Sequence, residues 1–126
     1  MDLAGFRNWL DRYVTASSEF NRGAIEDLFA EGVRYLGGPW DEPIHGLDAL
    51  VAFWEKELRS RRLVDAVTTP LALAAEVGVA EWWARYAPEP DRPGGREYSS
   101  VLVLRFDDAG RCTEYREWCL PRPDGR

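Results

Sequence analysis

The first part of the chain changes from a helical to an extended hydrophobic pattern. Apolar residues recur three and four positions apart from position 3 to about position 17, which predicts an amphipathic helix with its charged side chains on the other face. After a polar break, Asn21 is placed to cap a short second helix, which we expect Gly32 to end. Positions 33–36 then predict a short strand.

A segment rich in glycine, proline and aromatic residues follows that strand. We expect it to form an irregular loop that contains Trp40 and His45, and we expect Gly46 to open a long helix. Helix, strand, loop and helix follow one another without a spacer, so this part of the chain must fold back on itself and leave a concavity. Hydrogen-bonding aromatic groups and the only histidine would lie beside that concavity. The pattern therefore indicates a pocket protein.

Beyond position 62 the hydrophobic period becomes two, which predicts strands. We expect a strand over 64–75 that is kinked at Pro70, a turn at 76–78 and a strand over 79–86. Strands over 98–106 and 111–120 are joined by Asp107-Asp108-Ala109-Gly110, which is typical of a tight antiparallel hairpin. Positions 121–126 should form a loose tail.

Length and element order together predict one α+β domain over 1–126. At 126 residues the chain can bury one compact core and is too short for two ordinary domains. Helices followed by antiparallel strands predict a curved sheet that wraps around the helices and leaves a blind cavity.

Charge argues against several classes of partner. The net charge is −6 without a dense lysine or arginine run, so we expect no nucleic-acid partner. The longest basic cluster, Arg59, Arg61 and Arg62, falls where the long helix should end, and we interpret it as a solvated helix end. No segment has the roughly 20 apolar residues of a membrane span, and the N-terminus lacks a signal-peptide core. We expect a cytoplasmic protein without a membrane partner.

Cysteine and histidine, the residues that give recognisable metal-ligand spacings, are sparse in this chain. Cys112 and Cys119 should face opposite sides of one strand, so we do not expect them to bond each other. A lone histidine with scattered carboxylates does not make a ligand set. We predict neither a metal nor another cofactor.

Four segments are together similar to one superfamily: Arg12-Tyr13 on the first helix, LFAEGVRY before the loop, PIHGLDALVAFW into the long helix, and the hairpin RFDDAGRCTEYREW. Over nearly its whole length the chain resembles the nuclear transport factor 2-like superfamily, which includes ketosteroid isomerases and SnoaL-like polyketide cyclases. The resemblance implies a cone-like α+β barrel with three N-terminal helices packed in a curved, mostly antiparallel sheet. It does not fix an activity, because this fold hosts enzymes, transport factors and proteins of other roles.

The resemblance also implies which catalytic positions this chain keeps. Ketosteroid isomerases use a tyrosine on the first helix, a carboxylate base on the first strand and a protonated acid on the penultimate strand. Tyr13 matches the tyrosine, whereas Gly37 stands at the base position and Leu102 at the acid position. A glycine cannot accept a proton, so we do not expect that chemistry. Limonene-epoxide-hydrolase relatives imply an acid near Glu117, but Trp82 and Ala84 replace their Arg and Asp pair.

Strand alternation selects other candidate catalytic residues. It places Glu117 on the concave face as the one carboxylate in the cavity, where it is a candidate acid or base unless a tyrosine merely satisfies it or the register turns it to solvent. His45 is the second proton-transfer candidate, unless it is an exposed turn residue. The hydroxyl of Tyr13 would orient a ligand oxygen, or else it is a satisfied group of the core.

The candidate ligand-binding residues are mostly aromatic. They favour a flat, apolar, cyclic or terpenoid ligand, and the simpler interpretation is a packed core. These candidates are Trp9, Tyr35, Trp40, Trp54, Trp82, Leu102 and Tyr115.

Two functions of different classes remain open. One is a SnoaL-like small-molecule pocket protein with acid–base chemistry of an isomerase, cyclase or hydratase/hydrolase type, and the other is a non-catalytic ligand-binding or interaction module of the same fold. A third hypothesis is a purely structural dimer. The outer sheet face has the aromatic and arginine composition of interface cores, so we expect a homodimer. Its residues are Trp83, Arg85, Arg116 and Trp118.

Overall fold

A computed structural model describes residues 1–123, which form three helices and a six-stranded mixed sheet. The helices are α1 (Leu3–Ser18), α2 (Arg22–Leu28) and α3 (Leu47–Ser60). The strands are β1 (Phe29–Leu36), β2 (Ile44–His45), β3 (Leu63–Ala74), β4 (Val77–Tyr86), β5 (Glu97–Phe106) and β6 (Cys112–Pro121). The α+β class predicted from the sequence is confirmed.

The sheet is open. Its order is β2-β1-β6-β5-β4-β3, with β1 parallel to β6 and the other neighbours antiparallel. Within residues 1–123, β2 and β3 are its two edges, and β2 is only two residues long and pairs with β1 alone. The sheet therefore does not close into the barrel that the resemblance implied. Helix α3 follows β1 and β2 in the chain, so helices and strands alternate in the first half.

Both N-terminal helices begin at side-chain caps. Asp2 accepts a hydrogen bond from the backbone N–H of Gly5 at 2.8 Å, and Asn21 accepts one from Ala24 at 3.1 Å, as predicted for Asn21. The short helix ends at Leu28 rather than at Gly32. Phe29 is already extended and pairs with β6, so the apolar residues that fit a helical spacing there belong to two elements.

The loop before α3 is more regular than its composition predicted. Ile44 pairs with Tyr35, and His45 with Arg34, so β2 adds a short strand to β1. Gly46 follows with a φ of 90°, a conformation that favours glycine, and it opens α3 as predicted.

The later strands follow the predicted order, and their boundaries shift by one or two residues. The kink at Pro70 is confirmed as a register shift between Pro70 and Ala72. The turn into β4 lies at Ala75 and Glu76, and Gly78 is a buried strand residue instead of a turn residue. A Cβ at Gly78 would lie 2.7 Å from the ring of Phe6, so a side chain here would displace α1.

The sheet extends into the segment predicted as a tail. Pro121 ends β6, and the backbone N–H of Arg122 donates to the carbonyl of Glu97 at 2.9 Å. The remainder of the predicted tail, 124–126, lies outside the described residues.

Alternation along the strands divides the sheet into two faces. On the inner face of β4 the side chains of Ala80, Trp82 and Ala84 are buried, whereas their neighbours in sequence are not. The helices cover this inner face, with α1 beside β3 and α3 beside β1. The core and any enclosed site therefore lie between the helices and the inner face.

Candidate functional site

A chain of hydrogen bonds crosses the inner face from α1 to β5. The hydroxyl of Tyr13 lies 3.1 Å from that of Tyr115, which donates to Oε1 of Glu117 at 2.7 Å. The hydroxyl of Ser100 donates to Oε2 of the same carboxylate at 2.8 Å. Both carboxylate oxygens are thus fixed in orientation by buried donors, which is the arrangement a positioned acid or base requires.

The fold brings these four residues together through independent local rules. Tyr13 lies on the buried stripe of α1, five residues before the end of the helix. Tyr115 and Glu117 lie two positions apart on β6 and so share its inner face. Ser100 is on β5, where it pairs with Cys119 across the ladder.

A cavity of about 70 Å³ adjoins this hydrogen-bonded chain. It is small beside the roughly 300–1,000 Å³ of pockets that hold drug-sized ligands, and it has room for a few heavy atoms. Its lining consists of Tyr13, Tyr35, Phe53, Trp54, Glu57, Leu58, Arg61, Trp82, Tyr86, Tyr115 and Glu117.

Three tyrosines of the cavity are held in the neutral form. Burial raises the pKa of Tyr13, Tyr35 and Tyr115 well above the usual value, and the negative charge of Glu117 raises it further. The rings of Tyr35 and Tyr115 are stacked with centroids 4.4 Å apart. The cavity therefore presents neutral phenols, which can donate to a ligand oxygen.

The side of the cavity next to the end of α3 carries a cation. The guanidinium carbon of Arg61 lies 4.4 Å from the ring centroid of Tyr86, and a guanidinium nitrogen lies 3.2 Å from Oε2 of Glu57. The interpretation of Arg61 as part of a solvated helix end is wrong for this residue, because its side chain is two-thirds covered and lines the cavity.

Four of the residues predicted to bind ligand line the cavity, namely Tyr35, Trp54, Trp82 and Tyr115. The indole nitrogen of Trp54 is buried and finds no hydrogen-bond acceptor among the described residues. The rings of Tyr13 and Tyr35 meet the Trp54 ring at steep angles, 83° and 75°. Trp54 is therefore held by packing.

Four other predicted site residues lie outside the cavity lining. His45 is exposed on β2 and Trp40 is 96% exposed, so neither forms the expected wall. Trp9 and Leu102 are fully buried in the core, where the indole N–H of Trp9 donates to the carbonyl of Leu28 at 2.9 Å. The prediction for Trp40 and His45 depended on the composition of their loop. The pairing of β2 with β1 decides where that loop runs.

Sequence reasoning missed Ser100, Arg61, Glu57 and Tyr86. Side chains alternate along β5, so Ser100 lies on the same inner face as Leu102, and this alternation could have identified it. Arg61 lies beyond the last residue of α3 and has an extended backbone, so no helical period could place its side chain.

A larger groove, of about 890 Å³, lies at the surface near the loop after β4 and is rich in arginine. Its Arg96 is paired with Glu89 and Asp91, and its Arg122 with Glu97. These charges satisfy one another in solvent, so we place the candidate site in the inner cavity.

Three further features bear on metal binding, thiol chemistry and membranes. Among residues 1–123 no group of three His, Cys, Asp or Glu side chains is placed to share a metal ion. Both cysteines are free thiols, and burial raises the pKa of Cys112. No helix in the described part of the chain is long and apolar enough to cross a membrane.

Comparison with known structures finds the same fold. A candidate isomerase of the SnoaL-like family from Agrobacterium tumefaciens str. C58 superposes with a TM-score of 0.67 at 18% identity, over 94% of this chain and 99% of that one. A conserved protein from Planctomyces limnophilus DSM 3776 superposes with a TM-score of 0.71 at 17% identity, over 94% of this chain and 96% of that one.

Comparison with curated proteins gives no match. The family sequence model of the SnoaL-like domain matches residues 10–115 of this chain. The match runs from the middle of α1 to Tyr115, which contacts Glu117. Since this match covers most of the chain, the protein belongs to the SnoaL-like family, within the nuclear transport factor 2-like superfamily.

Proposed function

We propose that this SnoaL-like protein is an acid–base enzyme in which Glu117 exchanges a proton with a small molecule in the inner cavity. The observation that carries the proposal is the hydrogen-bonded chain Tyr13–Tyr115–Glu117 beside a cavity that all three residues line. A base must lie within hydrogen-bond reach of the proton it removes, and Glu117 is the carboxylate that reaches the tyrosine hydroxyls.

The tyrosines supply the second half of such a reaction. Removal of a proton next to a carbonyl or hydroxyl leaves negative charge on the substrate oxygen, and a neutral donor must stabilise it. Tyr13 and Tyr35 keep their protons because burial raises the pKa of both phenols. In this proposal Glu117 takes the proton, and one of these hydroxyls donates to the oxygen.

Cavity size limits the substrate. A ring system of the cyclic or terpenoid kind expected from the sequence exceeds about 70 Å³, so it would enter only if the aromatic walls moved. The substrate of this proposal is therefore a compact carbonyl or hydroxyl compound.

The test begins with a thermal-shift screen of compact ketones, enones and alcohols. For a compound that binds and is turned over, Glu117→Gln should abolish turnover while affinity stays within about threefold, because the amide keeps the shape and loses the base. Glu114→Gln is the matched control, since Glu114 lies on β6 and pairs with Arg34 away from the cavity. Loss of turnover in both variants, or in neither, would contradict the assignment.

One observation favours a non-catalytic binding module as the second candidate. Both oxygens of Glu117 already accept hydrogen bonds from Tyr115 and Ser100, so a ligand proton must compete with an internal donor. A binder of this kind would keep its affinity for the screened compound in Tyr13→Phe and turn over none of the panel. Product detected by NMR after prolonged incubation would exclude it.

We also propose that the outer sheet face pairs two copies of the chain. Arg116 covers the ring of Trp118 at 4.8 Å, and the indole of Trp83 donates to Glu97 at 2.7 Å. Around these aromatic residues Val101 is 40% exposed and Leu120 is 72% exposed. Apolar side chains exposed side by side on three neighbouring strands are typical of an interface between subunits.

A further inference from the structure

We propose that the inner cavity selects a small organic cation, an amine in its ammonium form, and that Arg61 is the internal cation with which such a ligand competes. This inference rests on the proposed function, because it names the charge class of the compound that the same cavity would take. Three observations support it: the chemistry of the cavity walls, the charges of the lining residues and the position of the Arg61 side chain.

The walls are aromatic for the most part. Seven of the eleven lining residues carry aromatic rings, and these rings come from α1, β1, α3, β4 and β6. The face of an aromatic ring has negative electrostatic potential and attracts cations, including ligand ammonium groups. Rings contributed by five elements line the small volume, so a compact cation inside it would lie beside several aromatic rings.

The charges of the lining point the same way. It contains two carboxylates, Glu57 and Glu117, and one cation, Arg61. An anionic ligand would face both carboxylates in a partly desolvated space, which is unfavourable. The lining is net negative with Arg61 in place and more so once its side chain leaves, so it favours a ligand with a positive charge in either state. The net charge of −6 of the whole chain favours the approach of such a ligand.

Arg61 already displays the contacts that this ligand would make. Its guanidinium lies over the ring of Tyr86, with the ring of Tyr98 5.7 Å away, and it pairs with Glu57. Burial opposes its charge, but Tyr86, Glu57 and Tyr98 together outweigh that effect and raise the pKa of Arg61. A cation is therefore stable at this edge of the cavity.

Arg61 can also yield its place without breaking the backbone cap of α3. It is the residue that caps the end of α3, and its backbone N–H donates to the carbonyl of Glu57 whatever its side chain does. Rotation of the side chain toward solvent would release the ring of Tyr86 and the carboxylate of Glu57 together. The same two groups could then hold a ligand cation.

The experiment compares a cation with a neutral molecule of similar shape. Trimethylammonium chloride and tert-butanol are titrated into the full chain at constant ionic strength, and binding is followed by tryptophan fluorescence and calorimetry. We expect the cation to bind and tert-butanol to bind at least about fivefold more weakly, as one cation–ring contact is worth that factor.

Variants of two arginines test the role of Arg61. Arg61→Met should tighten trimethylammonium binding by about fivefold or more, because it frees Tyr86 and Glu57, whereas Arg61→Lys keeps a competing charge and should not. Arg59→Met is the matched control, since Arg59 also pairs with the glutamate four positions before it, is 76% exposed and lies outside the cavity lining. Adding Glu57→Gln to Arg61→Met should remove the gain. Circular dichroism verifies that each variant is folded.

Two results would overturn the inference. The first is that trimethylammonium binds no more tightly than tert-butanol to both the original chain and Arg61→Met. Failure of both compounds to bind counts as the same result. The other is an equal gain in Arg61→Met and Arg59→Met, which would reflect overall charge alone.

The binding measurement leaves Glu117 in place and needs no turnover. Failure of trimethylammonium to bind, with turnover of a neutral compound still lost in Glu117→Gln, would overturn the cation inference and keep the proposed function. Selective cation binding, with turnover unaffected by Glu117→Gln, would overturn the proposed function and keep the cation inference.

Discussion

The two faces of the sheet differ in how far they bury their aromatic and charged side chains. On β4, Trp82 is buried against Tyr13 on the inner face, whereas Trp83 is only partly buried on the outer face and donates to Glu97. On β6, Tyr115 is buried on the inner face and its neighbour in sequence, Arg116, is exposed on the outer face. Both faces combine aromatic rings with charged groups.

What differs is where the partners come from. On the inner face α1 supplies Tyr13 to the hydroxyl of Tyr115, and Ser100 and Tyr115 on β5 and β6 supply the donors to Glu117, so these groups find their hydrogen bonds within the domain. On the outer face the strands supply only one another, and Leu120 and Trp118 keep 72% and 37% of their surface exposed. Covering by helices encloses the candidate site on one face, and lack of cover leaves the other face exposed, where we propose that a second copy binds.

High pH should break the inner face first and most strongly. The folded state keeps the protons of Tyr13, Tyr35 and Tyr115 above about pH 10, where the unfolded chain releases them, so stability is full below that pH and falls as pH rises further. Each tyrosine costs up to about 1.4 kcal/mol per pH unit, or about 4 kcal/mol for the three. The outer face of the described strands has no tyrosine.

The measurement follows tyrosinate absorbance and near-ultraviolet circular dichroism through an alkaline titration. We expect these three phenols to ionise only as the fold is lost. Complete tyrosine ionisation before any change in dichroism would contradict the burial argument.

Truncation of the paired tryptophans compares the two faces directly. Trp82→Ala should lower the free energy of unfolding by ~3–5 kcal/mol, because it leaves a void under Tyr13. Trp83→Ala should cost ~1–2 kcal/mol, since its ring is partly in solvent and one hydrogen bond is lost. Urea denaturation measures both, and equal losses would mean that the outer face is as well covered as the inner one.

Removal of Glu117 tests the hydrogen-bonded chain itself. Glu117→Leu should cost ~2–4 kcal/mol, because the hydroxyls of Tyr115 and Ser100 lose their acceptor in a buried place. Glu97→Leu is the matched change on the outer face, where Trp83 and Arg122 donate to a partly exposed carboxylate whose pKa these bonds lower. We expect the second variant to lose much less in urea denaturation. A reversed order would show that the inner network is not the stabilising one.

Charges on the outer face should change assembly with the least effect on the fold. The double variant Trp83→Glu, Trp118→Glu should be monomeric where the original chain is dimeric, with a change in unfolding free energy of each subunit of about 1 kcal/mol or less beyond the loss of the interface. Static light scattering at micromolar concentration measures the state. Ala4→Glu with Asn8→Glu adds the same charge on the exposed side of α1 and should stay dimeric. A monomeric original chain, or a dimeric outer-face variant, would remove the dimer proposal.

Local periods predicted much of the fold and part of the site. Helical spacing placed Tyr13 on the buried face of α1, and strand alternation placed Tyr115 and Glu117 on one side of β6. The hairpin at 107–110 and the helix start at Gly46 followed from turn chemistry. Each of these features depends on residues close in sequence, which is why the sequence alone sufficed.

Other features depend on pairings between distant segments. Whether Glu117 meets Ser100 depends on the register of β5 against β6, and whether Trp40 and His45 reach a cavity depends on where β2 joins the sheet. Arg61 and Tyr86 meet only because the chain after α3 turns back along β4. The sequence by itself determined most of the elements, their faces and the family, because local sterics and burial act over a few residues. Tertiary structure decided the size of the cavity, its partners and its charge, because these arise from contacts that no local period records.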